Sequence, residues 1–164
     1  SARGSGSSWR SFLPGLVQWT EEEISEVQSE LKDLHHMVIL VGAGAKKVSS
    51  SEAHKKVKTS PLFNGRVERS EHRLSLLKEQ ISPLQWKELY ENVWAEFWDM
   101  HSLFETSQPP FGYFLPGTLQ VIETLRKFWD DEKDGPLVTM DAGPNLHLLW
   151  RNDQEELALS LIHI

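Results

Sequence analysis

One stretch sets the terms on which this chain can fold. From Pro83 to about Glu105, the residues Trp86, Leu89, Tyr90, Val93, Trp94, Phe97, Trp98 and His101 recur every three or four positions. That spacing predicts a helix whose apolar face is wide enough to lie against a sheet. Its aromatic groups read as core rather than as a ligand cage, because each buried indole removes a large area from water. His101 at the end of the stripe reads the same way, as a hydrogen-bonded buried histidine.

The rest of the chain supplies the strands that such a helix needs. Met37 to Val41 is a β-branched run between turn signals, the pattern of a strand buried on both faces. Leu16 to Trp19, Leu137 to Met140 and Leu146 to Trp150 are also expected to be strands. Further helices are predicted. Thr20 to Glu23 resembles a cap and acidic first turn, followed by Ile24, Val27, Leu31 and Leu34 at helical spacing. Arg66 to Ile81 is expected to turn Val67, Leu74, Leu77 and Ile81 inward, and Thr118 to Trp129 to bury Leu119, Ile122, Leu125 and Trp129. Ser49 to Lys58 is a short helix or an ordered loop, and Asn152 or Asp153 caps a last helix. The order of elements implies an α+β fold, an antiparallel sheet with helices packed on one face.

Composition removes several functions. The chain has 164 residues, enough for one domain or one domain and a fragment of another. It has no cysteine, which excludes a disulfide framework, a thiol nucleophile and cysteine-ligated metals. With 17 Lys plus Arg against 24 Asp plus Glu, its formal charge is −7, which argues against nucleic acid as a partner. No apolar run approaches the roughly 20 residues that cross a bilayer, and Ser1 to Ser8 lacks the pattern of a signal peptide. No membrane partner is expected, and the default location is cytoplasmic. The His spacing gives no transition-metal motif, and neither a Walker A loop nor a Rossmann fingerprint is present. The lack of Met at position 1 predicts a chain that was cut.

Two segments carry chemistry. In Ser5-Gly6-Ser7-Ser8-Trp9-Arg10, hydroxyls and free amides ahead of a short predicted helix, Trp9 to Phe12, form an anion site, and Arg10 offers a planar fork to carboxylate or phosphate. Read by pattern alone, a Gly/Ser tail is favoured over that site. In Asp141-Ala142-Gly143-Pro144-Asn145, small residues let a ligand approach the backbone, and Asp141 can serve as a base or orient a hydroxyl. A plain hairpin turn explains the same residues equally well. Around Ser49, Ser50 and Ser51, the lysines 46, 47, 55, 56 and 58 make either a solvated face or a phosphate-facing loop.

Taken together the segments form a pattern. Arg3-Gly-Ser-Gly-Ser followed by Arg10-Ser11, then Gly15-Leu-Val-Gln-Trp19, resembles the RGSGSACRS…GGxVxW stretch of diphosphomevalonate decarboxylases. Val38-Ile-Leu-Val41, Lys46-Lys47-Val48, Thr59-Ser60-Pro61-Leu62 and Pro109-Pro110-Phe111-Gly-Tyr113 are similar to further segments of that family, and Asp141 to Asn145 matches its DAGPN loop. The matches occur in the family's order along nearly the whole chain.

The resemblance implies the ferredoxin-like C-terminal domain of a GHMP-superfamily enzyme. The implied reaction is ATP-dependent decarboxylation of mevalonate 5-diphosphate to isopentenyl diphosphate, with Mg²⁺. Carried over by position, Asp141 and Arg10 are the catalytic residues, Asp141 near the tertiary hydroxyl and Arg10 on the substrate carboxylate. Ser5, Gly6, Ser7, Arg10 and Ser51 are substrate-binding. Residues 1–20 are expected to form the substrate-binding segment and its following strand, and 21–164 the domain itself, truncated at its end. ATP and Mg²⁺ are then held mostly by an N-terminal domain, the chain alone is inactive, and the family is commonly dimeric. Ser8 and Trp9 stand where the family often has Cys and small residues. Glu52 stands near where some members bind diphosphate with an Arg. The missing Arg and Glu52 keep one alternative open, a related kinase that phosphorylates mevalonate or phosphomevalonate without decarboxylation. A second alternative, a non-catalytic binding module, would be favoured by loss of Asp141 or Arg10, and both are present.

Overall fold

A computed structural model describes residues 15–161 apart from 20–23, 30, 32, 45 and 47. Ten regular elements follow one another: β1 (Val17–Trp19), β2 (Ile24–Glu26), β3 (Leu34–Ile39), α1 (Ser50–Lys56), α2 (Arg66–Ile81), α3 (Trp86–Thr106), α4 (Pro116–Glu132), β4 (Leu137–Met140), β5 (Leu146–Arg151) and α5 (Glu155–Ser160). Short 3₁₀ turns follow α1 and β5. The fold is α+β, with antiparallel pairing throughout. β1 and β2 form a small ribbon, and β3, β5 and β4 form a three-stranded sheet in that spatial order. β5 lies in the middle, pairing Leu34 with Arg151 and Ile39 with Leu146 on one side, and Leu137 with Leu149 and Met140 with Leu146 on the other.

The pleat divides the sheet into two faces. Val138, Met140, Leu146, Leu148 and Trp150 point to one face and are buried against Ile122 and Leu125 of α4, Ala158 of α5, and Phe97 of α3. On the other face, Leu34, Leu137 and Leu149 meet Ile81, Trp86, Leu89 and Trp129, with Leu16, Val27 and Leu31 laid beside them. A third cluster joins Ala53 of α1 and the adjoining Val57 to Leu103 and Phe104 of α3 and to Tyr113. The aromatic helix thus touches all three clusters, as its wide stripe requires. No helix among the described residues is long and apolar enough to cross a membrane.

Several expectations are corrected. The helix expected over Ile24 to Leu34 is absent from the described residues: Ile24–Glu26 is β2, and Leu34 begins β3. Val27, Leu31 and Leu34 still reach the core, although Ile24–Glu26 pairs with β1 and Leu34 with β5. β3 is an edge strand, and the Met37 to Val41 run is not buried on both faces: Val38 and Leu40 are exposed, while Met37, Ile39 and Val41 pack inward. In α2, Val67 and Leu74 are exposed while Ile81 is buried, and in α4 Leu119 is exposed. The last helix is capped by neither Asn152 nor Asp153. The Gln154 side chain accepts from the Arg151 N–H, Asp153 pairs with Arg151, and Asn152 bonds to His35 and Asp33. The Leu16 to Trp19 strand, the α2 and α3 helices and the last two strands lie where periodicity puts them.

α2 and α3 are joined by charge as well as by apolar contact. Arg66, Arg69 and Arg73 lie three and four residues apart, so they share one face of α2. All three reach Asp99, with Arg69 gripping it through two hydrogen bonds of 2.8 and 2.9 Å and Arg73 through one of 2.7 Å. Glu96 accepts from Arg66 and Arg73. The Asp99 side chain is only 12% exposed. Burial alone would push its carboxyl up, but the hydrogen bonds from Arg69 and Arg73 and the charges of Arg66 and Arg73 outweigh this and hold it at about 2. Because the folded carboxyl is depressed, the ionised pair stabilises above pH 4 and is lost as pH falls toward 2. The urea midpoint of wild type is therefore expected to exceed that of Asp99→Asn by a constant margin from pH 7 to about 4, and the gap to close toward pH 2. A margin independent of pH would remove the ion-pair account.

Candidate functional site

The Asp141–Asn145 segment connects edge strand β4 to central strand β5, so it is a hairpin turn as its composition allows. It is also pinned far more firmly than a surface turn requires. The Asn145 Oδ1 accepts from the Val41 and Gly42 backbone N–H groups at 2.9 and 3.1 Å, latching the turn to the end of β3. The Pro144 carbonyl accepts from the Thr118 hydroxyl at 2.8 Å, and that hydroxyl in turn accepts from the Leu115 N–H at the start of α4. Pro144 itself lies against Gly42, where an added Cβ would come within 3.2 Å of it. Ala142 packs into the cluster around Ala53, Val57 and Tyr113.

Asp141 leaves this frame with its side chain outward. The carboxylate is 59% exposed and meets the Lys46 ammonium at 3.2 Å through Oδ2. Oδ1 makes no hydrogen bond among the described residues. Gly143 is buried beneath this pair. A Cβ there would stand 2.8 Å from Asp141 Oδ1 and 3.0 Å from Lys46 Nζ, so a larger residue would push the two charged tips aside. The Asp141 carbonyl accepts from two donors, the Gly143 N–H at 2.8 Å and the His101 ring at 3.0 Å. A carbonyl only accepts, so the proton of His101 is on Nε2. Burial holds that imidazole down at about 4, against the opposing pull of the Asp141 carbonyl and charge, and it is neutral.

The serine run forms a lip beside this turn. Ser49 caps α1, its hydroxyl accepting from the Glu52 N–H at 3.2 Å, and Ser50 and Ser51 occupy the exposed first turn. Tyr113 ties the lip to the turn. Its hydroxyl donates to the Val48 carbonyl at 2.9 Å, and its phenol is pushed up first by burial and then by the nearby charges of Asp141 and Glu52. Glu52 is engaged by Lys56 at 3.0 Å, so its charge is already answered within α1. Ser5, Gly6, Ser7 and Arg10 lie outside the described residues. Of the residues expected in the site, the structure thus places Asp141 and Ser51 on neighbouring elements. Sequence reasoning missed Lys46 as the partner of Asp141, and it missed the anchoring roles of Asn145, Thr118 and His101. The Asn ending a turn and the histidine ending an aromatic stripe were the available signals. Among the described residues no three His, Asp or Glu side chains converge as a metal cage.

Comparison with known proteins gives a consistent result. The family described as Mevalonate 5-diphosphate decarboxylase C-terminal domain matches residues 36–164. A crystal structure of a mevalonate diphosphate decarboxylase from Legionella pneumophila superposes with a TM-score of 0.92 at 45% identity, covering 97% of this chain and 50% of that one. Mevalonate pyrophosphate decarboxylase from Streptococcus pyogenes gives 0.86 at 28% identity, over 97% and 51% of the two chains. A structure described as MDDEF in complex with MVAPP, AMPPCP and magnesium gives 0.72 at 31% identity, over 79% and 39%. The chain therefore spans about half the length, or less, of these relatives. No curated protein sequence matches it.

Proposed function

The chain belongs to the mevalonate 5-diphosphate decarboxylase C-terminal domain family, and from that premise we propose that it forms the C-terminal part of an enzyme converting mevalonate 5-diphosphate and ATP to isopentenyl diphosphate, ADP, phosphate and CO₂. Residues 1–20 are assigned to substrate binding and 21–164 to the domain. The observation that carries the reading is Asp141, an exposed carboxylate on a turn pinned at every residue, with Lys46 at 3.2 Å. Transfer of the γ-phosphoryl group of ATP to a tertiary hydroxyl, ahead of the loss of phosphate and CO₂, needs a group that takes or orients the hydroxyl proton in fixed geometry, and Asp141 Oδ1 is the atom assigned to it. Lys46 holds the other oxygen and adds positive charge where phosphoryl oxygens would pass. Arg10 is assigned the substrate carboxylate, which a planar guanidinium holds through two parallel hydrogen bonds. Ser5, Gly6, Ser7 and Ser51 are assigned the diphosphate.

ATP and Mg²⁺ are part of the proposal. The donor set fits an ion that arrives on the nucleotide, because Mg²⁺ so carried needs only one or two carboxylates and keeps phosphate oxygens and water as its other ligands. When bound, it neutralises phosphate charge. The test is an assay of the full-length enzyme containing this chain, supplied with ATP and mevalonate 5-diphosphate, with ADP and CO₂ followed together. Equal release of both is expected. ADP without CO₂ would promote the kinase reading, and no ADP with any mevalonate derivative the binding module. The 164-residue chain alone is expected to turn over nothing.

A further inference from the structure

His101 is an expensive residue for the place it occupies. It sits near the end of α3 with no exposed surface, among rings. Phe114 stacks on it at 4.7 Å, and Phe97, Phe104 and Tyr113 meet it edge-on. In such a pocket an apolar side chain of similar size loses no hydration, whereas the imidazole buries two polar atoms. One of them, Nδ1, has no partner among the described residues. The other does a specific thing: Nε2–H donates to the Asp141 carbonyl at 3.0 Å.

That carbonyl belongs to the residue at which β4 ends and the turn begins. With the Gly143 N–H on the same oxygen at 2.8 Å, two donors fix the peptide plane that follows Asp141, and hence the direction in which its carboxylate leaves the strand. Among the described residues, no other side chain hydrogen-bonds to the Asp141 backbone. Lys46, its other contact, is itself partly exposed. An exposed carboxylate on a turn holds one geometry only if the backbone below it is held.

We propose that His101 is a positioning residue, which sets the orientation of Asp141 through its Nε2–H and has no contact with substrate. This rests on the reading of Asp141 as the reacting carboxylate. Because the buried ring is neutral with its proton on Nε2, the donor is present throughout the working pH range.

The test compares His101→Phe with His101→Gln in the full-length enzyme. Phe fills the ring pocket and removes the donor; Gln carries an N–H at nearly the reach of Nε2. His101→Phe is expected to lower kcat between about tenfold and a hundredfold, the scale of a small misplacement. KM for mevalonate 5-diphosphate and for ATP should stay within about twofold, and Tm should be unchanged or higher. His101→Gln should restore kcat to within about threefold of wild type. A wild-type kcat in His101→Phe, equal losses in both variants, or losses that follow Tm would overturn the proposal. Should the Phe variant fail to fold, His101→Met, of similar bulk and without a donor, takes its place against Gln. Asp141→Asn in the same series separates the two ideas. If it is active, the assignment of Asp141 falls and the role of His101 falls with it. If it is inactive while His101→Phe is normal, only the positioning role falls.

Discussion

Asp141→Asn in the full-length enzyme is expected to lower kcat by a factor on the order of 10³, the range measured when a positioned base is removed. Asparagine keeps the shape of the side chain and a carbonyl oxygen, so the turn and its anchors survive: Asn145 on β3, Thr118 on Pro144 and His101 on the Asp141 carbonyl. What disappears is the negative charge and the capacity to take a proton. The stability cost is small, because the Lys46 pair that is broken is partly exposed, and such pairs contribute about 1 kcal/mol or less. The loss should therefore fall on kcat, with KM and the urea midpoint close to wild type. Asp153→Asn is the matched control. It removes the same charge at the far end of β5, where Asp153 pairs with Arg151, and should leave turnover within about twofold, as surface changes remote from a site do. Equal losses in both variants would make the effect one of overall charge and would dismiss Asp141 as the base.

The second large effect is on stability. Phe97→Ala is expected to cost about 3–5 kcal/mol, the range for deleting a buried aromatic ring. Phe97 is 2% exposed and lies where α3 meets the sheet face formed by Val138, Met140, Leu146 and Leu148. Its ring also contacts Trp94, Trp98 and His101, with centroids 5.2, 5.6 and 6.3 Å away. Neighbours this large cannot collapse into the space it leaves. Against a total of about 5–15 kcal/mol, the variant keeps a small margin of folded protein at best. Val67→Ala supplies the contrast, since Val67 is 58% exposed on α2 and should cost within about 0.5 kcal/mol. Urea unfolding of both reads the difference. Equal costs would mean that α2 and α3 present other faces to the core.

The two variants also mark how far the sequence could be read. The stripe from Trp86 to His101 was legible because a wide aromatic face at helical spacing has one way to leave water. Strands β4 and β5 were legible because turn residues bracket them. The stretch from Ile24 to Leu34 misled for a physical reason. Its apolar residues fall three and four apart, yet pairing of Ile24–Glu26 with β1 and of Leu34 with β5 outweighs local periodicity. Val67 and Leu119 were misplaced because spacing marks a face without saying how much of it is covered. Asp141 was legible through a five-residue motif, whereas its supports were not. Asn145, Thr118, Lys46 and His101 are separated from their partners by between 26 and 104 positions, and local pattern, which marks Asn145 and His101 as unusual, does not say what they touch. His101 was read as a satisfied core histidine. One nitrogen is satisfied, and the other has no partner among the described residues.

The Asn145 latch has a consequence for how a site of this kind adapts. Because the turn bearing Asp141 is fastened to the end of β3 and to the start of α4, it behaves as part of the scaffold rather than as a hinged flap. Enclosure of a reactant, with the exclusion of water that goes with it, then falls to elements outside this frame. The serine lip at the head of α1 is held by its own cap and by the Tyr113 hydroxyl on Val48. If Ser51 binds the substrate as proposed, substitutions that broaden or narrow the range of accepted molecules belong on that lip. Substitutions at the latch change how well any molecule reacts.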